Sequence, residues 1–401
     1  MSIRTALVIG GGIAGPVTAT ALHKAGIEAR VYEAYPGPAY NIGSSLGFQP
    51  NGLAALDVIG AGDVVRRIAM PMRHSVMSFG GKEVTMPTTG DAEPLQLVER
   101  SELHRVLHDF AVAAGVAFEY DKRLVDVDEG RDGITARFAD GTSATADVLI
   151  GADGVKSSVR TLIDPDAPGA DYTGLLGFGA VIDLPLDLAP ETMYFAFGKN
   201  AYYLYTMLPD GRIGWGANLP SKQYMTTSEA RAVPAEQWLR TLREVYAEDT
   251  PGGDLVRRVR PEDLQMVGGI HIMPPVPNWY RDRMVLVGDA VHAPSNSTGQ
   301  GASLAVESGI QLARCLRDFD NQATAFAVYE QIRRPRVETI AARGARINHA
   351  KAPGPLMRRV MPVMMPIMFR AMKIGEVMRR ETAYTIDWDA PVDRQDELAR
   401  V

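Results

Sequence analysis

A chain of 401 residues, 46% hydrophobic and 22% charged, has the make-up of an ordinary globular protein of about two to three domains. Its net charge of −6 argues against general nucleic-acid binding, and a single cysteine, Cys315, excludes both an intramolecular disulfide framework and a cysteine-cluster metal site. It has no apolar run of about 18 residues, so no spanning helix is expected, and the cysteine usage suits the cytoplasm.

The first motif is the densest. Residues 6–9 form an apolar run right for a buried parallel strand, and Gly10, Gly12 and Gly15 follow at G-x-G-x-x-G spacing around Ile13 and Ala14. A helix is expected over 17–24, stopped by Gly26, then a second strand over 29–32 that ends in Glu33 and Ala34. Each part suits a dinucleotide. Gly10 permits a tight turn, Gly12 lets a pyrophosphate approach the backbone, and Gly15 lets helix and strand pack closely. The helix N-terminus offers free N–H groups and the positive end of its dipole. Glu33, 18 residues beyond Gly15, can accept hydrogen bonds from an adenosine ribose and disfavours a 2′-phosphate, so FAD or NAD fits better than NADP. Three glycines and a proline within this stretch argue against a secretory signal.

A Pro/Gly/Tyr-rich loop runs to about Ser45, then a helix to Ile59 for which Asn51 is a candidate cap. Strands of a different sheet are expected over 76–86 and an apolar strand over 94–98. A helix follows with Ser101 as candidate cap and Leu103, Val106, Leu107 and Phe110 on one face. Strands over 116–120, 124–128 and 134–138 lead to a buried strand over 146–150, which runs into 151–160. Aromatic-rich antiparallel strands are expected over 193–197, 202–208 and 212–219, the last two joined at Pro209, Asp210 and Gly211. Phe195 and Phe197 share one face of their strand, as do Tyr203 and Tyr205 with Met207, and these are the candidate substrate contacts. A helix over 234–246, a buried strand over 284–287, and helices to about Leu316 and over 323–333 complete the pattern before a Met-rich helical tail.

Special residues thus cluster at three strand ends: 10–15, 151–160 and 288–303. Ligands of open α/β sheets sit outside the carboxyl ends of the strands, and loops so far apart in sequence converge only if their strands share one sheet. Together the three segments, within residues 3–335, resemble the fingerprints of the class A flavoprotein aromatic hydroxylases, which include para-hydroxybenzoate, salicylate, kynurenine and tetracycline-inactivating monooxygenases. The resemblance implies a Rossmann-like α/β FAD-binding domain of the glutathione-reductase type, with an antiparallel-sheet substrate domain and a C-terminal helical region. The implied bounds are 1–72, 100–171 and 280–335 for FAD, 73–99 and 172–279 for substrate, and 336–401 for a helical cover. It implies noncovalent FAD, NAD(P)H as co-substrate, and hydroxylation of an aromatic or polycyclic small molecule by O2 through a flavin hydroperoxide.

Residue by residue, Asp153-Gly154 with Ser157 and Arg160 matches the family's Asp-Gly motif; as a plain turn, Asp153 would instead pair with Arg160. Asp289 matches an acid facing the ribitol hydroxyls. Gly299, Gly301, Ala302 and Ser303 open a helix toward the pyrimidine end of the flavin, where its dipole favours the anionic reduced state. Arg100 matches an arginine that reaches the flavin, its alternative being a surface charge beside Glu99 and Glu102. Leu124 matches a strand backbone beside the adenine. The chain departs from the family at Asn296, where a proline is common four residues after His292, itself expected to be structural; no catalytic base is expected.

Two other functions are weighed. A flavin halogenase would carry a Trp-x-Trp-x-Ile-Pro signature, but Trp215, Trp238, Trp279 and Trp388 are isolated. A binding protein that sequesters an aromatic compound without turnover, or a related flavin oxidoreductase or epoxidase, remains the alternative. In the tail, residues 356–380 hold seven methionines flanked by arginines and a lysine. Pro362 and Pro366 are expected to break it into short pieces, which favours a packed cover across both domains over a basic membrane-surface helix.

Overall fold

The computed structural model describes residues 3–38, 45–88, 92–349 and 355–392. The chain opens with β1 (Thr5–Ile9), α1 (Ala14–Lys24), β2 (Glu28–Tyr32), β3 (Ser45–Phe48), α2 (Pro50–Val58) and α3 (Gly62–Arg66). Next come β4 (Met70–Met72), β5 (His74–Phe79), β6 (Lys82–Thr85), β7 (Leu95–Glu99) and α4 (Arg100–Ala113). Short strands β8 (Ala117–Glu119), β9 (Leu124–Glu129), β10 (Ile134–Phe138), β11 (Ser143–Ala146) and β12 (Val148–Gly151) lead to α5 (Ser158–Ile163). The long strands are β13 (Asp171–Ile182), β14 (Thr192–Phe197), β15 (Tyr202–Met207) and β16 (Ile213–Pro220), followed by α6 (Thr227–Ala232), α7 (Ala235–Tyr246), α8 (Gly252–Arg258) and β17 (Gln265–Ile272). The chain returns through β18 (Tyr280–Arg281) and β19 (Met284–Leu286) to α9 (Gly301–Asp318), α10 (Gln322–His349), α11 (Pro355–Ala371) and α12 (Ile374–Thr382).

Two sheets organise these elements. The first runs β18-β19-β12-β1-β2-β8, and β19, β12, β1, β2 and β8 are mutually parallel. Val8, Val31, Ile150 and Val285 are fully buried in it, as sheets covered on both faces require. The second runs β17-β13-β16-β15-β14-β5-β6. One of its faces packs on α7 and α8 through Tyr203, Tyr205, Trp215, Leu239, Leu242 and Tyr246. Its other face carries Phe79, Phe197 and Tyr202, and there α11 lays down Met365 and Phe369.

Some local expectations are corrected. α1 starts at Ala14, directly off the glycine loop. Neither Asn51 nor Ser101 caps a helix: α2 and α4 begin after Gln49 and Glu99, both extended and without a side-chain cap, and the Asn51 amide is drawn inward instead. α10 does not stop at Arg333 but passes Pro335. Beside the helical bond lost there, Arg334 donates to the carbonyls of Val276 and Pro277 and pairs within the helix with Glu330 and Glu338. α11 likewise continues through Pro362 and Pro366. It is pinned as one piece on β5 and β6, while α12 reaches α2 in the other half of the molecule and Glu381 at its end pairs with Arg343. The loop segment 39–44 and the tail segments 350–354 and 393–401 lie outside the described residues.

Candidate active site and its cofactor cradle

β1, β12 and β19 lie side by side and in parallel, with Ile9, Gly151 and Leu286 level at their carboxyl ends. The three motif-bearing loops therefore leave the sheet along one edge. The glycine loop is tight for a measurable reason. Gly10 has φ +106°, and a Cβ there would stand 2.5 Å from the carbonyl oxygen of Ala152. A Cβ on Gly15 would fall onto the Gly10 carbonyl oxygen. Gly12 differs: among the described residues, its chain neighbours aside, no atom lies within 4 Å of its Cβ position, so its side of the loop is open there. α1 follows after Ile13 with no acidic residue in its first turn, so its positive end is not neutralised locally.

Glu33 holds this loop in shape. Its carboxylate accepts from the Gly11 N–H at 2.7 Å and, through its other oxygen, from the Tyr35 N–H at 3.0 Å. His104, which the sequence does not single out, bonds through Nε2 to the Gly11 carbonyl oxygen at 2.7 Å. Burial lowers the His104 pKa, so a neutral ring donates this bond. Ala34 follows Glu33 at the same strand end, and Leu124 opens β9 opposite Phe138, whose ring stacks on Tyr32 at 4.7 Å.

The middle loop corrects one expectation. Asp153 does not pair with Arg160 by hydrogen bonds. It accepts from the Ser157 and Ser158 hydroxyls and from the N–H groups of Ser158 and Val159, closing the turn before α5, with Gly154 beside it at φ +74°. Buried Arg160 instead donates to the Ala290 carbonyl at 2.7 Å and to that of Val155 at 2.9 Å. It ties the second loop to the third.

In the third loop Gly288 packs between Ala14 and Ala305, where a Cβ would stand about 3 Å from both side chains. The half-buried Asp289 follows. Among the described residues none donates a hydrogen bond to its carboxylate. Burial raises its pKa, and the positive charge of Arg100 opposes that shift. Arg100 is exposed, and the acids expected beside it are engaged elsewhere: Glu99 takes the Ser45 hydroxyl at 2.6 Å and Glu102 pairs with Arg105 at 2.8 Å. Gly299, in the left-handed conformation, turns the chain into α9. Gly301 and Ala302 are half-exposed in its first turn, where N–H groups lack helical acceptors. The Ser303 hydroxyl accepts from the Gln49 N–H at 3.0 Å, so only its backbone faces the cradle.

Behind α9 lies a buried network that the sequence reading missed. Glu307 is fully buried and paired with Arg333 at 2.7 Å and Arg336 at 2.9 Å, and it accepts from the Asn51 amide at 2.6 Å. Asn51 also donates to Gln300 Oε1, and the ring of Tyr384 covers both guanidinium groups. Burial would raise the Glu307 carboxyl, but Arg336 and Arg333 outweigh it and hold it at about 2. His292 is buried with Nε2 2.8 Å from the Ser308 hydroxyl, and burial, with Arg333 nearby, lowers it to about 3, so it is a neutral structural ring. The signal in sequence was a lone glutamate in the otherwise uncharged stretch 301–313.

The antiparallel sheet separates the four aromatic candidates. Ala196 pairs with Tyr203 and Phe195 with Leu204, so Phe195 and Phe197 face one way and Tyr203 and Tyr205 the other. Tyr203 and Tyr205 are not ligand contacts: each is 2% exposed in the core against α7 and α8, and the Tyr203 hydroxyl accepts from the Gly252 N–H. Phe197 is covered by α11. Phe195 remains half-buried in a row that crosses the sheet as Gly179, Gly216, Leu204, Phe195 and Met77. On the same face the Thr206 hydroxyl meets the Met72 sulfur of β4, whose sheet, β3-β7-β4, leads through Gln49 to the start of α9.

The open side of Gly12, two positive helix ends and a carboxylate without a donor among the described residues fit a flavin dinucleotide. The comparisons agree. Residues 4–344 match the family described as FAD binding domain. The chain is 30% identical over 359 residues to 3-hydroxybenzoate 6-hydroxylase of Klebsiella oxytoca, covering 84% of this chain and 86% of that one. It is 28% identical over 360 residues to an FAD-dependent urate hydroxylase of Klebsiella pneumoniae, covering 86% and 91%. Klebsiella pneumoniae HpxO, solved with FAD and uric acid, shares the fold at a TM-score of 0.82 with 24% identity over 95% and 97% of the two chains. The tetracycline destructase Tet(55) does so at 0.72 and 19% over 97% and 100%. With its three strand-end loops joined into one cradle, the chain belongs to the class A FAD-dependent aromatic hydroxylases.

Proposed function

We propose that this protein uses NAD(P)H and O2 to hydroxylate an aromatic or polycyclic small molecule. The observation that carries the reading is the sheet face bearing the half-buried Phe195 and Leu204, where Leu204 lies over Gly216 and the two side chains form an apolar floor beside α11. A planar ring is the ligand such a floor suits. Its relatives act on 3-hydroxybenzoate, urate and 6-hydroxynicotinate by name, all small planar rings, which supports the same class here.

Bound FAD supplies the redox and oxygen chemistry, as the family implies. The chain's own residues do the rest. Gly10, Gly12, Gly15 and the start of α1 would receive the pyrophosphate, with Glu33, Ala34 and Leu124 at the adenosine end. Asp289 would accept from ribitol hydroxyls, with Arg100 close by to offset its charge. Asp153 and Gly154 shape the loop between, and Arg160 locks it to the third. The first-turn N–H groups of Gly301, Ala302 and Ser303, after the turn at Gly299, would offer a positive helix end to the negative charge of the reduced pyrimidine ring. Phe195 and Leu204 would hold the substrate ring and keep water from it. No side chain is assigned as a base.

The test is the purified flavoprotein with NADH or NADPH and a panel of phenols, N-heteroaromatic rings and polycyclic phenols. At least one ring is expected to speed NAD(P)H oxidation and to leave a hydroxylated product. Tight binding of a ring with no acceleration and no product would make the protein a binder and overturn the reading.

A further inference from the structure

We infer that α11 is a docking surface for an anionic lipid bilayer. The inference does not rest on the proposed reaction. Met361, Met365 and Phe369 recur every four residues and turn inward onto the cluster that holds Phe79, Phe197 and Tyr202. The opposite side of the same helix is also apolar. Val360, Val363 and Ile367 stand there in solvent, Val363 at 67% and Ile367 at 65% exposure, with exposed Met364 and Met368 on the flank and exposed Met372 just past the helix end. A soluble monomer rarely leaves so continuous an apolar stripe uncovered.

The charge around the stripe selects its occupant. Between residues 359 and 380 there are five basic side chains and one acidic one, in a chain whose net charge is −6. Arg359, Arg370, Lys373, Arg379 and Arg380 are all exposed, and the lone acid, Glu376, is engaged by Arg380 at 2.6 Å and Lys373 at 3.8 Å. By helical spacing Arg359 and Arg370 fall along one edge of the stripe, eleven residues or about three turns apart. Their long stems can lie on the apolar surface while their heads reach phosphate groups. An apolar helix face with a cationic edge suits a bilayer interface. An antiparallel two-fold pairing with a second copy is disfavoured on the same ground, because it would set arginine edge against arginine edge. No helix among the described residues is long and apolar enough to cross a membrane, so the contact would be peripheral.

The test uses the full-length flavoprotein and vesicles of phosphatidylcholine with or without phosphatidylglycerol. Co-sedimentation is expected with the anionic vesicles only, weakening with added salt. The double variant Val363→Gln, Ile367→Gln should lower vesicle affinity at least tenfold while flavin content and Tm stay as in the parent. Arg370→Gln, Lys373→Gln should remove most of the salt dependence. Absence of the parent from anionic vesicles would overturn the inference, as would unchanged binding by the first variant. A dimer in light scattering that the first variant dissociates, without vesicle binding, would assign the stripe to a second copy instead.

Discussion

The two large sheets place function differently. In the parallel sheet the strands are buried on both faces and the proposed cofactor contacts sit at one end, where the loops after β1, β12 and β19 meet. In the antiparallel sheet the proposed substrate contacts lie on a face, and of its two apolar faces one is sealed by α7 and α8 while the other is covered in part by α11 and keeps Phe195 and Leu204 only half-buried. Such an end is written in residues that each have a local reason. Gly10 and Gly15 are required because a Cβ has nowhere to go. A face is written in parity, and parity says which side chains of one strand agree but not which way the strand looks. Only the pairing of Ala196 with Tyr203 reveals that the phenylalanines and tyrosines point apart.

The sharpest way to break this comparison is to remove what holds α9, and with it that end. Glu307→Ala leaves the guanidinium groups of Arg333 and Arg336 buried beside an uncompensated gap. It should cost about 3–5 kcal/mol by chemical denaturation. The parent's pH profile carries the same information. A carboxyl held below its unfolded value contributes stability above about 4.5 and loses it as pH falls toward about 2. Acid unfolding in that window should therefore be shallower in the variant than in the parent.

Gly12→Val tests that end without disturbing the fold, since the position is open. Flavin affinity should fall at least a hundredfold, about 3 kcal/mol, while the apoprotein melts where the parent apoprotein does. A yellow variant with full flavin content would refute the assignment of the loop.

Phe195→Ala and Tyr203→Ala, measured together, sharpen the difference between the two faces. Tyr203 fills the core, so its loss should cost about 3–5 kcal/mol of stability with little change in KM for the aromatic substrate. Phe195 is half-buried, so its loss should cost less stability but raise KM about tenfold at full flavin content. The reverse pattern would turn the sheet over.

The smallest expected effect belongs to Asp289. Burial raises its pKa in the folded chain, so above its unfolded value the ionised carboxylate works against the apoprotein. Asp289→Asn should raise the apoprotein Tm slightly at neutral pH and weaken flavin binding about tenfold, roughly 1.4 kcal/mol. A lower apoprotein Tm would mean that the carboxylate is structural.

The same contrast explains what could be read from the chain. The βαβ unit and the three loops at strand ends were legible because short-range rules govern them. Asn51 and Ser101 look like caps by type, yet α2 and α4 start without them, because Asn51 meets Glu307 only when residues far apart in sequence converge. Pro335, Pro362 and Pro366 look like helix stops, but tertiary partners keep α10 and α11 intact. His104 carries no motif and is found only because α4 passes under the glycine loop. Each miss is a long-range contact overriding a local preference.

The most direct measurement of the central claim is the source of the oxygen atom in the product. With the flavoprotein, NAD(P)H and an accepted aromatic substrate under isotopically labelled O2, one labelled oxygen per product molecule is expected, with no label from labelled water. Product oxygen drawn from water, or NAD(P)H oxidation that ends only in hydrogen peroxide for every ring tried, would contradict a monooxygenase built on this cradle and this sheet face.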